Sequence, residues 1–211
     1  MARGKASSGW MRRHLTDPYV RQAQVEGYRS RAAYKLHQLA GRDRLLRKGM
    51  IVIDLGAAPG GWSQVAAAAV APGGRVIAVD LLEMDPLPGV TFVQGDFQEQ
   101  ATLDEVVRLL GGEKVDLVLS DLSPNITGIR TVDQARAVAL AEAACELAEN
   151  YLKPQGNFLV KAFHGGGYEE FVRRLRQRFE RVAVRKPQAS RSESREVYLL
   201  AHHPRHSLAS A

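Results

Sequence analysis

The sequence has little that would suit it to an oxidising compartment or a membrane. Its 211 residues include one cysteine, Cys145, which excludes an internal disulfide and a multi-cysteine zinc site. The longest apolar run, residues 65–71, is far too short to span a bilayer. Residues 1–13 are basic, but no apolar segment follows them as it would in a signal peptide. We therefore expect a soluble protein of a reducing cytoplasm, with no membrane partner and no structural metal.

The composition also lacks the bias of fibrous or disordered chains. Hydrophobic residues make up 45% and charged residues 25%, which argues against a coiled coil, a collagen-like repeat or a mostly disordered chain. No internal repeat is visible, and the length suits one domain. We expect a basic mobile tail over residues 1–17, a single domain over residues 18–205 that begins with a helical segment (residues 18–48), and a tail over residues 206–211.

The charge is unevenly distributed along the chain. The net charge of +6 divides into +9 for residues 1–48, −10 for residues 49–172 and +7 for residues 173–211. Two basic ends that flank an acidic middle suggest a polyanionic partner, first of all a nucleic acid. One alternative is an anionic membrane, which fits poorly because residues 3–13 have no sustained apolar face. The other is a pair of solvated basic ends without a partner.

Short apolar runs alternate with helical patterns along most of the chain. This alternation predicts an α/β fold of the Rossmann-like class, with a seven-stranded, mostly parallel sheet covered by helices on both faces. In such a sheet, ligands bind at the carboxyl ends of the strands. The predicted strands are residues 50–55, 75–81, 90–93, 115–120, 158–162, 181–185 and 197–201, and the predicted helices are residues 18–47, 62–71, 103–110, 131–152 and 168–179.

A glycine-rich loop, residues 54–62 (DLGAAPGGW), joins the first predicted strand to the helix after it. Its small residues let a ligand approach the backbone closely. Asp80 ends the second predicted strand, 24 residues after Gly56, where a carboxylate can accept hydrogen bonds from both hydroxyls of a ribose. The glycine spacing differs from the dinucleotide fingerprint, and the loop has no lysine to bind a phosphate. The pattern favours adenosine with a tail that carries no phosphate.

These residues and several further motifs resemble the RrmJ/FtsJ (RlmE) family within the class I methyltransferases. The resemblance extends from about residue 17 to residue 201, and it departs from the family pattern at Ser123 and at residues 164–166 (HGG). The matching motifs, in chain order, are residues 30–36 (SRAAYKL), 54–63 (DLGAAPGGWS), 80–86 (DLLEMDP), 95–97 (GDF), 120–125 (SDLSPN), 160–161 (VK) and 194–198 (SREVY).

The resemblance implies the activity and its partners. Enzymes of this family transfer a methyl group from S-adenosylmethionine to the ribose 2′-oxygen of a uridine in 23S ribosomal RNA. We expect the same reaction here, on the assembled large ribosomal subunit, with residues 18–48 facing the RNA and the protein acting as a monomer. His202, His203 and His206 lie outside the resemblance, and we expect them in a solvated tail rather than in a metal site.

The family's catalytic set falls by motif on Lys35, Asp121, Lys161 and Glu196, with Lys161 as the proton acceptor. Asp121 and Lys161 each end an apolar strand, where a charged side chain is unusual. Burial and a nearby cation such as Lys35 favour the neutral amine that a base needs, whereas Asp121 opposes this and suggests a positioning role. On the residues alone, Lys161 could equally be a strand end facing water, Lys35 a surface lysine and Glu196 a surface ion-pair partner.

The cofactor contacts implied by the resemblance are Gly60, Trp62, Asp80, Asp96 and Asp121. Asp80 would bind the ribose hydroxyls, and Asp96 would bind the adenine amino group. Asp121 would lie near the methionine part and the methyl group.

Two other functional classes remain to be compared with this one. A nucleotide-dependent oxidoreductase on the same sheet would need a phosphate-binding turn, which the glycine-rich loop lacks. A non-catalytic RNA-binding assembly factor that kept the fold would be expected to have lost Lys161 or Asp121, and the chain has both.

The charge pattern predicts that the basic N-terminal residues hold the RNA backbone. Deleting residues 1–13 should weaken RNA affinity and flatten its salt dependence, because fewer counterions are released from the phosphates. Cofactor affinity should not change. RNA binding measured across a salt series tests this, and an unchanged slope of log affinity against log salt would mean that the tail is only a solvated arm.

Overall fold

The structure, a computed structural model, describes residues 17–205. Six helices and seven strands follow one another within this range. The helices are α1 (Pro18–Glu26), α2 (Ala32–Asp43), α3 (Gly61–Val70), α4 (Gln100–Leu110), α5 (Arg130–Tyr151) and α6 (Tyr168–Arg178). The strands are β1 (Ile51–Leu55), β2 (Arg75–Asp80), β3 (Val90–Gln94), β4 (Val115–Ser120), β5 (Leu152–Phe163), β6 (Phe179–Arg185) and β7 (Glu196–Pro204).

The strands form one seven-stranded sheet in the order β3-β2-β1-β4-β5-β7-β6. The pairs from β3 to β5 are parallel, and β7 runs antiparallel to both β5 and β6. The sequence order reverses at β1, where the chain returns from β3 to place β4 on the other side. Such a switch point opens a crevice at the carboxyl ends of the strands. The predicted fold class is confirmed.

Alternate residues of the central strands pack against opposite layers of helices, as the two-residue period of a strand requires. One layer is a core formed with α4, α5 and α6, and it receives Ile53 from β1 and Val160 from β5. The other is a core formed with α2 and α3, and it receives Val52 and Leu159 from the same strands. Because both sheet faces are covered, the strands are apolar almost throughout.

The predicted single helical segment over residues 18–47 is wrong. Gly27 ends α1 with φ of 75° in the left-handed region, and α2 begins five residues later. Glycine pays no Cβ penalty there, so it is a common helix stop. Asp17, which we placed in the tail, is the N-cap of α1 and accepts a hydrogen bond from the Tyr19 backbone N–H at 3.1 Å. Residues 1–16 and 206–211 of the predicted tails lie outside the described residues.

Strand β7 is longer than predicted and includes two of the three histidines that we assigned to a tail. His202 lies opposite Asn157 of β5, and their side chains are 2.7 Å apart. The His203 ring lies 3.1 Å from the Glu180 carboxylate. These contacts correct the predicted solvated tail for both residues, while His206 lies outside the described residues. Within residues 17–205, no helix has the length and apolar character needed to cross a membrane.

Candidate active site

A cleft of about 520 Å³ opens at the carboxyl ends of β1, β2, β3 and β4. Its volume lies in the range that small-molecule ligands occupy. The glycine-rich loop forms one wall through Gly56 and Ala58, and the loop after β4 forms another. Three of the predicted cofactor-binding residues, Asp80, Asp96 and Asp121, line it together.

The Asp80 carboxylate joins two loops of the cleft. One oxygen accepts a hydrogen bond from the Ala58 backbone N–H at 2.9 Å, and the other accepts one from the Leu82 backbone N–H at 2.8 Å. An ionised carboxylate has about four lone-pair sites, so these two bonds leave capacity for two hydroxyl donors. Asp80 can therefore bind a ribose diol while it holds the loops in place.

The charge of the cleft decides what kind of ligand it accepts. Its three carboxylates are accompanied by no lysine or arginine among the described lining residues. The carboxylates of Asp80 and Asp96 would repel the phosphates of a dinucleotide, whereas a ligand with a cationic tail would be attracted. S-adenosylmethionine, with its positive sulfonium, fits this donor set, and the geometry agrees with the expected adenosine ligand without phosphate.

Gly60 and Trp62, the other two predicted cofactor contacts, do not line the cleft. Gly60 is the N-cap of α3 with φ of 110°, and a Cβ atom there would lie 3.0 Å from Arg29, Met84 and Leu87. The Trp62 side chain is buried, and its indole N–H donates to the Ala32 carbonyl at 2.8 Å. Their side of the loop is packed against the protein, so contact with a cofactor remains a prediction for both.

Lys161 and Asp121 form a largely buried ion pair beside the cleft. The register places them together, because Ser120 of β4 lies opposite Val160 of β5. The Lys161 Nζ atom is 3.1 Å from the Asp121 Oδ1 atom and donates to the Asp121 main-chain carbonyl at 2.7 Å. Lys161 is only 8% exposed, so it is not a strand-end charge that faces water.

Lys35 and Glu196 form a second ion pair on the same side of the sheet. Glu196 lies opposite Phe163, and Tyr198, two residues further along β7, lies opposite Lys161. Because side chains two residues apart in a strand point to the same face, Glu196 and Lys161 both lie on the face that α2 covers. The Lys35 Nζ atom is 2.7 Å from the Glu196 Oε1 atom. Burial opposes ionisation of Glu196, but the charge and hydrogen bond of Lys35, with smaller contributions from Ser190 and Lys161, outweigh it and lower the pKa of the carboxyl.

Tyr198 lies at the site and is the last residue of the motif at residues 194–198 (SREVY), but no role was predicted for it. It lies directly opposite Lys161 across β5 and β7, and its hydroxyl donates to Asp121 Oδ1 at 2.8 Å. Burial and the nearby carboxylates of Asp121 and Glu196 raise the pKa of Tyr198 well above its ordinary range, so the phenol keeps its proton. The period of β7 was the available signal, since Tyr198 follows Glu196 by two residues and shares its face.

A profile of the FtsJ-like methyltransferase family matches residues 28–203, which include both ion pairs and the whole cleft. The chain belongs to this family. The match confirms the resemblance drawn from the motifs, and it agrees with a cleft that suits a sulfonium cofactor.

Curated relatives extend the likeness of this FtsJ-like chain over almost its full length. It is 56% identical over 200 residues to the ribosomal RNA large subunit methyltransferase E of Nitrosospira multiformis, with 95% of this chain and 97% of the relative covered. It is 55% identical over 199 residues to the protein of the same name from Xanthomonas campestris pv. campestris, with 94% and 95% covered.

Solved structures support the family assignment at the level of the fold. A ribosomal RNA methyltransferase from Plasmodium falciparum superposes with a TM-score of 0.76 at 29% identity, covering 84% of this chain and 98% of that one. A methyltransferase-like protein from Streptococcus mutans, solved in complex with SAH, has a TM-score of 0.51 at 16% identity and covers 76% and 90%. The second likeness is one of fold alone.

No group of three or more metal-ligating side chains occurs in residues 17–205.

Asp54 is a further titratable residue of this FtsJ-like site, and it lies fully buried in β1 beneath the glycine-rich loop. Its Oδ2 atom accepts a hydrogen bond from the Ser63 hydroxyl at 2.7 Å, whereas Oδ1 has no hydrogen-bond partner among the described residues. Burial raises the pKa of Asp54 to about 7. The hydrogen bond from Ser63 opposes this shift, and the nearby carboxylates of Asp121 and Asp80 add to it.

We predict that Asp80→Ala weakens S-adenosylmethionine binding more than about tenfold. The ribose would lose charge-assisted hydrogen bonds worth about 1.5–3 kcal/mol, and the two loops would lose their common acceptor. Titration calorimetry measures the effect. Glu83→Ala removes an equal charge from the exposed part of the same loop and is the matched control. Unchanged affinity in the Asp80 variant would remove this residue from the site.

We predict that Asp54→Asn stabilises the ligand-free protein at neutral and alkaline pH. The folded state holds the Asp54 proton up to a pKa of about 7, whereas the unfolded state releases it near 3.8, so the wild type loses stability as pH rises between these values. Asparagine cannot ionise, so the Tm advantage of the variant should grow across this window and then level off. Thermal melts at several pH values test it, and an advantage that does not vary with pH would contradict it.

Proposed function

We propose that the protein transfers a methyl group from S-adenosylmethionine to the ribose 2′-oxygen of a uridine in 23S ribosomal RNA, within the assembled large subunit. Methylation of large-subunit ribosomal RNA is the activity in the names of its relatives. The observation that carries the 2′-oxygen is the buried Lys161–Asp121 pair beside a cleft with three carboxylates. A hydroxyl nucleophile needs a base at this place, and the pair supplies an amine.

The cleft would hold the cofactor through its carboxylates. Asp80 would accept the ribose hydroxyls and Asp96 the adenine amino group, and Asp121 would lie beside the methionine part. Asp96 is already oriented, because its Oδ1 atom accepts the Gln98 backbone N–H at 2.9 Å. When bound, the cofactor supplies a methyl group activated by a positive sulfur. The residues of this chain then need only to align the hydroxyl and take its proton.

Lys161 is the proposed proton acceptor, and Asp121 orients it. The base must be the deprotonated form of Lys161, whose amine has two N–H donors and one lone pair. The Asp121 carboxylate and main-chain carbonyl, at 3.1 and 2.7 Å, can accept both donors. This arrangement leaves the lone pair for the proton of the ribose hydroxyl. The Tyr198 hydroxyl fixes the same Asp121 oxygen and so limits its rotation.

Lys35 and Glu196 would position the substrate and balance the charge around Lys161. The lowered pKa of Glu196, due chiefly to Lys35, favours the ionised carboxylate, which pairs with Lys35 at 2.7 Å. Lys35 would therefore act on Lys161 as one member of an ion pair and not as an isolated cation. Removing either member would leave a buried charge without its partner, which is costly.

The RNA would approach from the side of α1, α2 and the loop before β7. Arg31 and Arg191 lie there, both within 3.4 Å of the Asp17 carboxylate. The basic ends supply the sequence-independent attraction to phosphates. We propose action in the cytoplasm as a monomer, with residues 18–205 as a single domain. A non-catalytic assembly factor is not favoured, because all four residues of the catalytic set are present and paired.

The proposed base makes a sharp prediction for substitutions at Lys161. Lys161→Ala should reduce the single-turnover methyl-transfer rate by about 10²–10⁴, the usual contribution of general base catalysis, with cofactor and RNA binding little changed. Lys161→Arg should not restore the rate, because arginine keeps its proton at any working pH. A near-normal rate in the arginine variant would show that the residue acts only through its charge.

Lys153→Ala is the matched control for this series. Lys153 also lies on β5 and pairs with an aspartate, Asp116, at 2.8 Å, but at the far end of the strand from the cleft. Its loss should leave the rate unchanged, and an equal loss of rate in both variants would mean that Lys161 is needed only for the stability of β5.

A further inference from the structure

Arg29 connects three carbonyl groups that belong to two different loops of the cofactor cleft. It lies in the linker between α1 and α2, and the residue is partly exposed. Its Nη1 atom donates to the Pro59 carbonyl at 3.2 Å and to the Asp85 carbonyl at 2.6 Å. Its Nη2 atom donates to the Pro86 carbonyl at 2.8 Å. The first carbonyl is in the glycine-rich loop, and the other two are in the loop between β2 and β3.

The same two loops are joined a second time by Asp80. Its carboxylate accepts one backbone N–H from Ala58 in the glycine-rich loop and one from Leu82 in the β2–β3 loop. Asp80 faces the cleft, whereas Arg29 approaches the loops from the N-terminal helices. The Asp80 carboxylate accepts hydrogen bonds from backbone N–H groups of both loops, and the Arg29 guanidinium donates to backbone carbonyls of both loops. The two side chains thus connect the same pair of loops from opposite sides.

The linker that carries Arg29 is itself anchored on α3. The Gln64 side-chain carbonyl accepts the Arg29 backbone N–H at 2.8 Å, and its amide donates to the Gly27 carbonyl at 3.0 Å. The guanidinium also lies against the backbone of the cofactor loop, since a Cβ atom on Gly60 would come within 3.0 Å of Nη1. The side chain is therefore held by contacts within the chain, and such preorganisation lowers the ordering cost of binding.

We propose that Arg29 is a positioning residue for the cofactor, which holds the glycine-rich loop and the β2–β3 loop at the separation that the adenosine part requires. This inference rests on the proposed function for the identity of the ligand. It makes the linker between α1 and α2 part of the cofactor site, although no atom of Arg29 lines the cleft. Arginine suits this task because its planar fork presents several donors at fixed angles, whereas a lysine ammonium is a single point charge.

Binding of S-adenosylhomocysteine by titration calorimetry tests the proposal. Arg29→Ala should weaken it about tenfold or more, and Arg29→Lys should restore only a small part of the loss. Gln64→Ala keeps the guanidinium but loosens its linker, so an intermediate loss is expected. Arg21→Ala removes an equal charge from an exposed position on α1 and should leave the affinity unchanged. The single-turnover rate of the Arg29 variants should fall with the affinity at low cofactor concentration, and an excess of cofactor should recover most of that loss.

Hydrogen exchange without ligand provides a readout that does not depend on the proposed function. Amides of residues 57–60 and 82–87 should exchange faster in Arg29→Ala, with core strands unaffected. If the wild type does not bind S-adenosylhomocysteine, the proposed function fails, and exchange still decides whether Arg29 joins the loops. Unchanged affinity in Arg29→Ala, or an equal loss in Arg21→Ala, would overturn the positioning role. A flatter salt dependence of RNA binding in Arg29→Ala, with cofactor affinity intact, would instead assign Arg29 to a phosphate and also overturn it.

Discussion

The site depends on one constraint, which is that two lysines and two carboxylates are enclosed together at the edge of a sheet. Removing four charged groups from water is costly unless each charge has a partner. The partners here come from separate elements, with Lys161 and Asp121 on neighbouring strands and Lys35 on a helix that reaches Glu196. The register of β4, β5 and β7 and the packing of α2 are therefore conditions for a stable site as well as for a catalytic one.

Electrostatic character divides the protein into two functional regions. The cofactor cleft is lined by three carboxylates, and burial raises the pKa of Asp54 beneath it to about 7. A fourth full negative charge in this place would destabilise the folded state, so folding favours the protonated form of Asp54. The basic residues are concentrated instead in the chain ends, and Arg31 and Arg191 meet beside Asp17 at the start of α1. The negative cleft thus suits a cationic cofactor, and the basic chain ends suit a polyanionic RNA.

Sequence reasoning located candidate site residues where a chemical signal stood out locally, and their roles stay predictions. Asp80, Asp121 and Lys161 were recognisable because a charged residue at the end of an apolar strand is rare, and the structure places all three at or beside the cleft. It failed where the signal was weak or ambiguous. Gly27 was overlooked as a helix stop within a polar segment, and Tyr198 resembled an ordinary core residue of an apolar strand. The roles of Gly60 and Trp62 remain predictions, because the structure shows their packing and not their ligand.

By itself, the sequence determined the fold class, the family and the identity of the charged residues, because apolar periodicity and strand-end motifs are local properties of the chain. Only the tertiary structure decided the partners. That Lys35 pairs with Glu196, that Tyr198 donates to Asp121 and that Arg29 joins two loops follow from strand register and helix packing. Side chains far apart in sequence meet only when the sheet is assembled and its two faces are covered, and no local pattern encodes those distances.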